Sequence, residues 1–157
     1  MNLKVLALFA AVLLVAACEQ KPAEQGAQTG TGQQGQPMAG SPNEIMKSKA
    51  GDTIYFAFDR SDITAEARAT LQRQAQVLQQ NPSWTVTIQG HCDERGTVEY
   101  NLGLGERRAN ATRQALIALG VAANRIQIIS YGKERPAVAG HNEQAWAQNR
   151  RGVTVVN

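Results

Sequence analysis

Strand-like and helix-like segments alternate from Glu44 to the end of the chain, and this order limits the possible folds more than any other feature. Runs of β-branched and aromatic residues are typical of strands, and apolar residues three or four apart are typical of amphipathic helices. The pattern predicts strand, helix, strand, helix, strand, short helix and strand over residues 53–58, 64–80, 84–89, 97–119, 125–131, 143–148 and 153–156. We therefore expect an α+β domain with one sheet and the helices on one of its faces.

The start of the chain has the pattern of a secretory leader. Lys4 precedes an unbroken apolar run over residues 5–17, which is too short to cross a bilayer and is typical of a signal peptide. Small residues precede Cys18, and the pattern resembles a bacterial lipobox, in which the cysteine receives a diacylglycerol. We expect a signal peptide over residues 1–17 and a lipid at Cys18; an ordinary signal peptide that ends in a cysteine is the alternative. Because Glu19 rather than Asp follows, we expect a cell outer membrane location with the domain facing the periplasm.

A polar, glycine-rich segment separates the leader from the domain. Residues 19–43 contain six Gln, five Gly and three Pro, and Met38 is their only sizeable apolar side chain. Such a composition buries too little apolar surface to offset the entropy of ordering the chain. We therefore expect a lipidated N-terminus and flexible tether over residues 18–43, followed by the domain over residues 44–157.

Charge and residue spacing argue against several classes of function. Sixteen Lys and Arg against thirteen Asp and Glu give a net charge of +3 without a basic block, so we expect no nucleic-acid partner. His91 and Cys92 are consecutive, and in an extended strand they point to opposite faces, which disfavours a nucleophile pair. His91, Asp93 and His141 lack the local spacing of a zinc motif. We expect no enzyme activity, no metal and no cofactor.

A candidate binding site follows the second predicted strand, where a polar loop over residues 90–96 leads into the long helix. Ligands favour the crevice beyond the ends of strands. Arg108 falls on the apolar stripe of the helix, so its guanidinium lies near the core and needs a partner. Asp93, in the loop at the N-terminal end of the same helix, is the candidate partner that the sequence offers. The two side chains would either receive the two charges of a zwitterion or pair with each other as a structural ion pair, and spacing alone favours the ion pair.

Four sequence motifs resemble the OmpA-like peptidoglycan-binding domain family. They lie at residues 90–101, 104–110, 130–137 and 149–151, in the family's order. The resemblance spans residues 54–156 and implies a βαβαββ domain with one mixed sheet. It also implies binding of the meso-diaminopimelate side chain of the peptidoglycan stem peptide, without metal or catalysis.

The resemblance implies six peptidoglycan-binding residues. Asp93 corresponds to the family's acidic contact and Arg108 to its basic contact, which favours the zwitterion over the internal ion pair. The other four belong to the loop after the first strand, to a Tyr-Asn pair and to an Asn-Arg-Arg signature beside the pocket: Phe58 and Asp59, Asn101, and Arg150.

Two positions depart from what the family leads us to expect. Cys92 stands where a small residue such as Ala, Thr or Ser is expected, so we predict a buried thiol that behaves as a small apolar side chain. Gly103 lies inside the long helix and costs about 1 kcal/mol relative to Ala unless close packing requires it. Elsewhere, we expect Trp84 and Trp146 to pack against the domain and His141 to lie in a surface loop.

The lipobox, the tether and the resemblance together imply a lipoprotein that holds the outer membrane to peptidoglycan. The implied partners are peptidoglycan, a TolB-like β-propeller and other Tol proteins, in a system that serves envelope integrity and cell division. Two alternatives remain open. One is an OmpA-like lipoprotein that anchors a secretion or motor assembly, and the other is an enzyme of cell-wall remodelling.

Overall fold

The computed structural model describes residues 40–157. The predicted signal peptide, the lipidation site Cys18 and most of the predicted tether lie outside the described residues. None of the helices formed by residues 40–157 combines the length and hydropathy needed to cross a membrane. The elements in chain order are α1 (Pro42–Ala50), β1 (Thr53–Tyr55), α2 (Ala65–Gln80), β2 (Val86–His91), α3 (Val98–Ala118), a 3-10 turn (Ala123–Arg125), β3 (Ile126–Gly132), α4 (Glu143–Asn149) and β4 (Arg151–Val156).

The four strands form one mixed sheet in the order β1-β4-β2-β3. Strand β4 runs antiparallel to both β1 and β2, whereas β2 and β3 are parallel. Ile88 of β2 therefore has Thr154 on one side and Ile128 on the other. The structure confirms the predicted α+β class with a single mixed sheet.

The core lies between the sheet and helices α1, α2 and α3. Along β2, Val86 and Ile88 are completely buried, while the alternate residues are only half-buried. Met46 of α1, Leu71 of α2 and Leu116 of α3 are buried in the same cluster. This period of two in the strand directs one face of the sheet toward the helices.

Helices α2 and α3 begin and end within a residue of the predicted bounds. The Thr64 hydroxyl accepts a hydrogen bond from the N–H of Ala67 at the start of α2, and Thr97 caps α3 in the same way. Gly120 has a φ of 93° just after α3, the left-handed conformation that glycine supplies without steric cost.

The first strand is shorter than predicted. Ladder pairing with β4 ends at Tyr55, although the Phe56 N–H still donates to the carbonyl of Arg150 at 2.9 Å. The chain then turns away from the sheet, and Asp59 takes a positive φ of 55°. Aromatic composition alone extended the prediction to residue 58, because it cannot reveal where the neighbouring strand stops.

The domain begins before the predicted boundary at Glu44. Helix α1 starts at Pro42, and Ser41 forms a reciprocal capping box with Glu44. The Asn43 side chain donates to the Val156 carbonyl at 2.9 Å and accepts from its N–H at 2.7 Å. Ser, Pro and Asn occur in linkers and are also favoured at the start of helices. Composition alone could not tell the two apart, so the prediction placed these residues in the tether.

Candidate functional site

A cavity of about 180 Å³ opens where the loops after β1 and β2 meet the start of α3. Five of the six predicted binding residues line it, and Arg150 lies beside it in contact with Asp93. The fold therefore brings the six predicted residues together from four separate segments of the chain. The lining residues are Phe58, Asp59, Cys92, Asp93, Arg95, Gly96, Tyr100, Asn101, Leu104 and Arg108.

Arg108 is a fully buried cation in the wall of this cavity, with a relative exposure of 0%. Its Nε donates to the carbonyl of Arg60 at 2.8 Å, and its two terminal nitrogens donate to the carbonyls of His91 at 2.8 Å and Ala57 at 3.1 Å. Burial lowers the pKa of the guanidinium. Three of its five N–H donors are therefore used by neutral main-chain oxygens.

Asp93 is also buried, and its partners are other arginines. Arg95 approaches side-on, with Nε 3.2 Å from Oδ1 and a terminal nitrogen 2.6 Å from Oδ2. Arg150 lies 3.3 Å from Oδ2. Burial by itself raises the pKa of Asp93, but the hydrogen bonds and charge of Arg95 outweigh it, so the pKa lies below its usual value.

The alternative of an Asp93–Arg108 ion pair is wrong. Within residues 40–157, the ion pairs of Asp93 are with Arg95 and Arg150, and Arg108 is held by carbonyl groups. Main-chain oxygens from the loop after β1 and from the end of β2 accept the hydrogen bonds of the Arg108 guanidinium.

Arg95 is a site residue that sequence reasoning missed. Its guanidinium lies 3.9 Å from the ring centre of Phe58 and 4.1 Å from that of Trp146, so Trp146 packs on the loop of the site. The signal available in the sequence was the spacing of Asp93 and Arg95 in a loop closed by Gly96, because an aspartate in a turn often binds the backbone two residues on.

The backbone of this loop is fixed by two side chains from outside it. The Asn101 amide donates to the carbonyls of Arg95 at 2.8 Å and Thr97 at 2.9 Å. Lys133, which was not among the predicted site residues, donates to the carbonyl of Gly96 at 2.6 Å. Asn101 is almost fully buried and lines the pocket. It therefore holds the loop in place and also forms part of the pocket wall.

The remaining predicted residues frame the opening. Phe58 is exposed and lies under Arg95, and the Asp59 carboxylate accepts a hydrogen bond from the Tyr100 hydroxyl. Arg150 is buried and donates to the carbonyl of Phe56 at 3.0 Å and to Glu143 at 2.6 Å. Its contacts tie α4 and the end of β1 to Asp93.

The protein belongs to the class of two-layer α+β domains, and it carries a buried cation and a buried carboxylate near the ends of its strands. Residues 55–150 match the OmpA family. The chain is 44% identical to the peptidoglycan-associated lipoprotein of Agrobacterium fabrum over 156 residues. This alignment covers 99% of this chain and 88% of the relative. The chain therefore belongs to the OmpA family, among the peptidoglycan-associated lipoproteins, as its motifs predicted.

Two further proteins show the same similarity. The chain is 55% identical over 107 residues to the peptidoglycan-associated lipoprotein of Brucella melitensis, covering 68% of this chain and 64% of that one; it thus spans somewhat less than two thirds of that relative. The crystal structure of the peptidoglycan-associated lipoprotein from Burkholderia pseudomallei superposes with a TM-score of 0.66 at 46% identity, covering 68% of this chain and 90% of the other.

Proposed function

We propose that this protein is a non-enzymatic lipoprotein that tethers the outer membrane to peptidoglycan by binding the diaminopimelate side chain of the stem peptide. The observation that carries the proposal is Arg108, a buried guanidinium that lines the pocket and has no carboxylate partner among the described residues. A cation removed from water without a counter-charge is costly unless a ligand supplies the anion.

The two charges of the pocket match the free end of diaminopimelate. That end is an amino-acid centre with one carboxylate and one ammonium group. Arg108 has more N–H donors than the three that its main-chain contacts use, and a bidentate guanidinium–carboxylate contact is strong in a desolvated site. Asp93 is the acidic side chain suited to the ammonium. The cavity of about 180 Å³ suits such an end group rather than a whole saccharide.

The membrane side of the proposal rests on the N-terminal sequence and on the relatives. A lipid on Cys18 would hold the outer membrane, and the polar segment after it would give the domain reach toward the cell wall. The relatives are named peptidoglycan-associated lipoproteins. The role in the Tol–Pal system, with a TolB-like β-propeller and other Tol proteins as partners, is part of this proposal and draws on the family resemblance.

The pocket does not favour the enzyme alternative. Cys92 is the only thiol that lines it, and burial raises the pKa of that thiol. Its Sγ donates to the carbonyl of Asn101 at 3.3 Å, so it is held as a protonated, buried group, as the sequence led us to expect. A protonated thiol is a poor nucleophile.

Sedimentation with purified sacculi tests the proposal. We expect the protein to sediment with sacculi that contain diaminopimelate and to remain in solution with sacculi in which lysine takes its place, because lysine lacks the terminal carboxylate. A free diaminopimelate stem peptide should release the bound protein. Equal sedimentation with both kinds of sacculi would contradict the proposal, and release of soluble fragments from the sacculi would support the enzyme alternative.

A further inference from the structure

The carboxylate that would receive the ligand's ammonium group is already occupied by the protein itself. Both oxygens of Asp93 accept hydrogen bonds from the Arg95 side chain, at 3.2 and 2.6 Å, and Oδ1 also accepts from the Arg95 backbone N–H at 3.2 Å. The Asp93 side chain is only 5% exposed, whereas that of Arg95 is 31% exposed. The guanidinium therefore covers the carboxylate on its solvent side.

We propose that Arg95 is an internal competitor for Asp93, which the ammonium group of the ligand must displace before it binds. This inference rests on the proposed function and adds a residue that sets the strength of binding. The Arg95 guanidinium holds the position on Asp93 that the ammonium group of the ligand would take.

The Arg95 guanidinium stacks on Phe58 and Trp146, but the backbone of the loop does not depend on it. The loop backbone is held by Asn101 and Lys133 through main-chain carbonyls, and these contacts do not involve the Arg95 guanidinium. A second carboxylate oxygen, Oε2 of Glu143, lies 3.9 Å from the Arg95 terminal nitrogen, on a side chain that is 65% exposed. Glu143, which also accepts a hydrogen bond from Arg150 at 2.6 Å, is therefore an acidic group close to the displaced guanidinium.

Displacement also leaves Asp93 correctly held for a ligand. Arg150 remains 3.3 Å from Oδ2, on a buried side chain that is fixed by the Phe56 carbonyl. The carboxylate thus keeps its orientation when Arg95 departs.

This competition weakens binding only for ligands whose cation takes Asp93. The affinity of such a ligand is reduced by the fraction of molecules in which the carboxylate is free. A ligand with the carboxylate but without the ammonium group would contact Arg108 alone, and Arg95 would stay in place. The presence of Arg95 should therefore weaken the binding of one ligand and leave the other unaffected, although the two differ by only one amine.

Calorimetric titration of the full chain and its Arg95→Gln variant tests this inference. The ligands are the diaminopimelate stem peptide and the same peptide with 2-aminopimelate, which lacks the far-end amine. We expect Arg95→Gln to bind the diaminopimelate peptide roughly three- to tenfold more tightly and the aminopimelate peptide with unchanged affinity. Arg68→Gln, which changes an exposed arginine on α2, is the matched control and should leave both affinities unchanged.

The outcomes separate this inference from the proposed function. If the parent binds and Arg95→Gln binds the diaminopimelate peptide equally or less tightly, Arg95 is a structural or ligand-contacting residue and the inference is wrong. If the parent fails to bind, the proposed function fails and the inference fails with it. In the unaltered protein, the NMR signal of the Arg95 Nε–H should shift with the diaminopimelate peptide and stay unchanged with the aminopimelate peptide; no shift with either would also overturn the inference.

Discussion

Gly90 and Gly105 are in direct backbone contact where strand β2 crosses helix α3: a Cβ atom on Gly90 would stand 1.8 Å from the Gly105 carbonyl oxygen. This contact lies at the end of β2 that leads into the site. Three residues along the helix, Arg108 donates to the carbonyl of His91, the neighbour of Gly90. The close approach of strand and helix therefore sets the position of the buried cation.

Two glycines of this region should respond oppositely to alanine. Gly90→Ala should destabilise the domain by about 3 kcal/mol or more, because the backbone oxygen it meets cannot move aside cheaply. Gly103→Ala should stabilise it by up to about 1 kcal/mol, because a Cβ there meets only the flexible end of Arg107 at 3.5 Å. Urea unfolding of both variants measures this, and a loss of stability in Gly103→Ala would contradict it.

Local signals in the sequence were sufficient for most of the elements but not for helix α1 or for the contacts of the site. Thr64 and Thr97 marked the helix starts, and Arg108 was recognised as buried because it interrupts an apolar stripe. The main partner of Asp93 was missed. The sequence favoured Arg108, fifteen residues further along the chain, whereas the turn after Asp93 places Arg95 on its carboxylate. Helix α1 was missed because its capping residues have the composition of the linker.

The buried imidazole of His91 predicts a loss of stability in mild acid. Burial, aided by the charge of Arg151, lowers its pKa from 6.5 to about 4, and among the described residues neither ring nitrogen has a hydrogen-bond partner. Between these values the unfolded chain binds a proton that the folded chain excludes, so the free energy of unfolding falls as the pH falls from 6.5 to 4. The loss should approach ~3 kcal/mol.

Unfolding measured across this pH range checks the effect. The chain has two histidines, so His141→Asn leaves His91 as the only imidazole whose titration NMR can follow. In that background, His91→Phe should flatten the dependence of stability on pH between 4 and 6.5. An unchanged slope would show that other groups cause the loss.

The N-terminal edge of the domain should contribute measurable stability. A fragment that starts at Glu44 lacks the Ser41 cap and both hydrogen bonds between Asn43 and Val156. It should unfold about 2 kcal/mol more easily than a fragment that starts at Gly40. Within the longer fragment, Asn43→Ala should cost about 1 kcal/mol or more, whereas Ser48→Ala, on the exposed side of the same helix, should cost little. Equal unfolding midpoints for the two fragments would show that these N-terminal contacts add no stability, which would contradict the prediction.

The most direct test of the whole account is a calorimetric titration that changes the ligand and Arg108 together. The parent domain should bind a diaminopimelate stem peptide roughly 10- to 100-fold more tightly than its lysine counterpart, because only the former offers a carboxylate to the buried guanidinium. Arg108→Lys should lose most of this preference while remaining folded by circular dichroism. Arg107→Lys, the exposed neighbour on α3, should keep it. Equal affinity of the parent for both peptides, or an undiminished preference in a folded Arg108→Lys variant, would contradict the central claim.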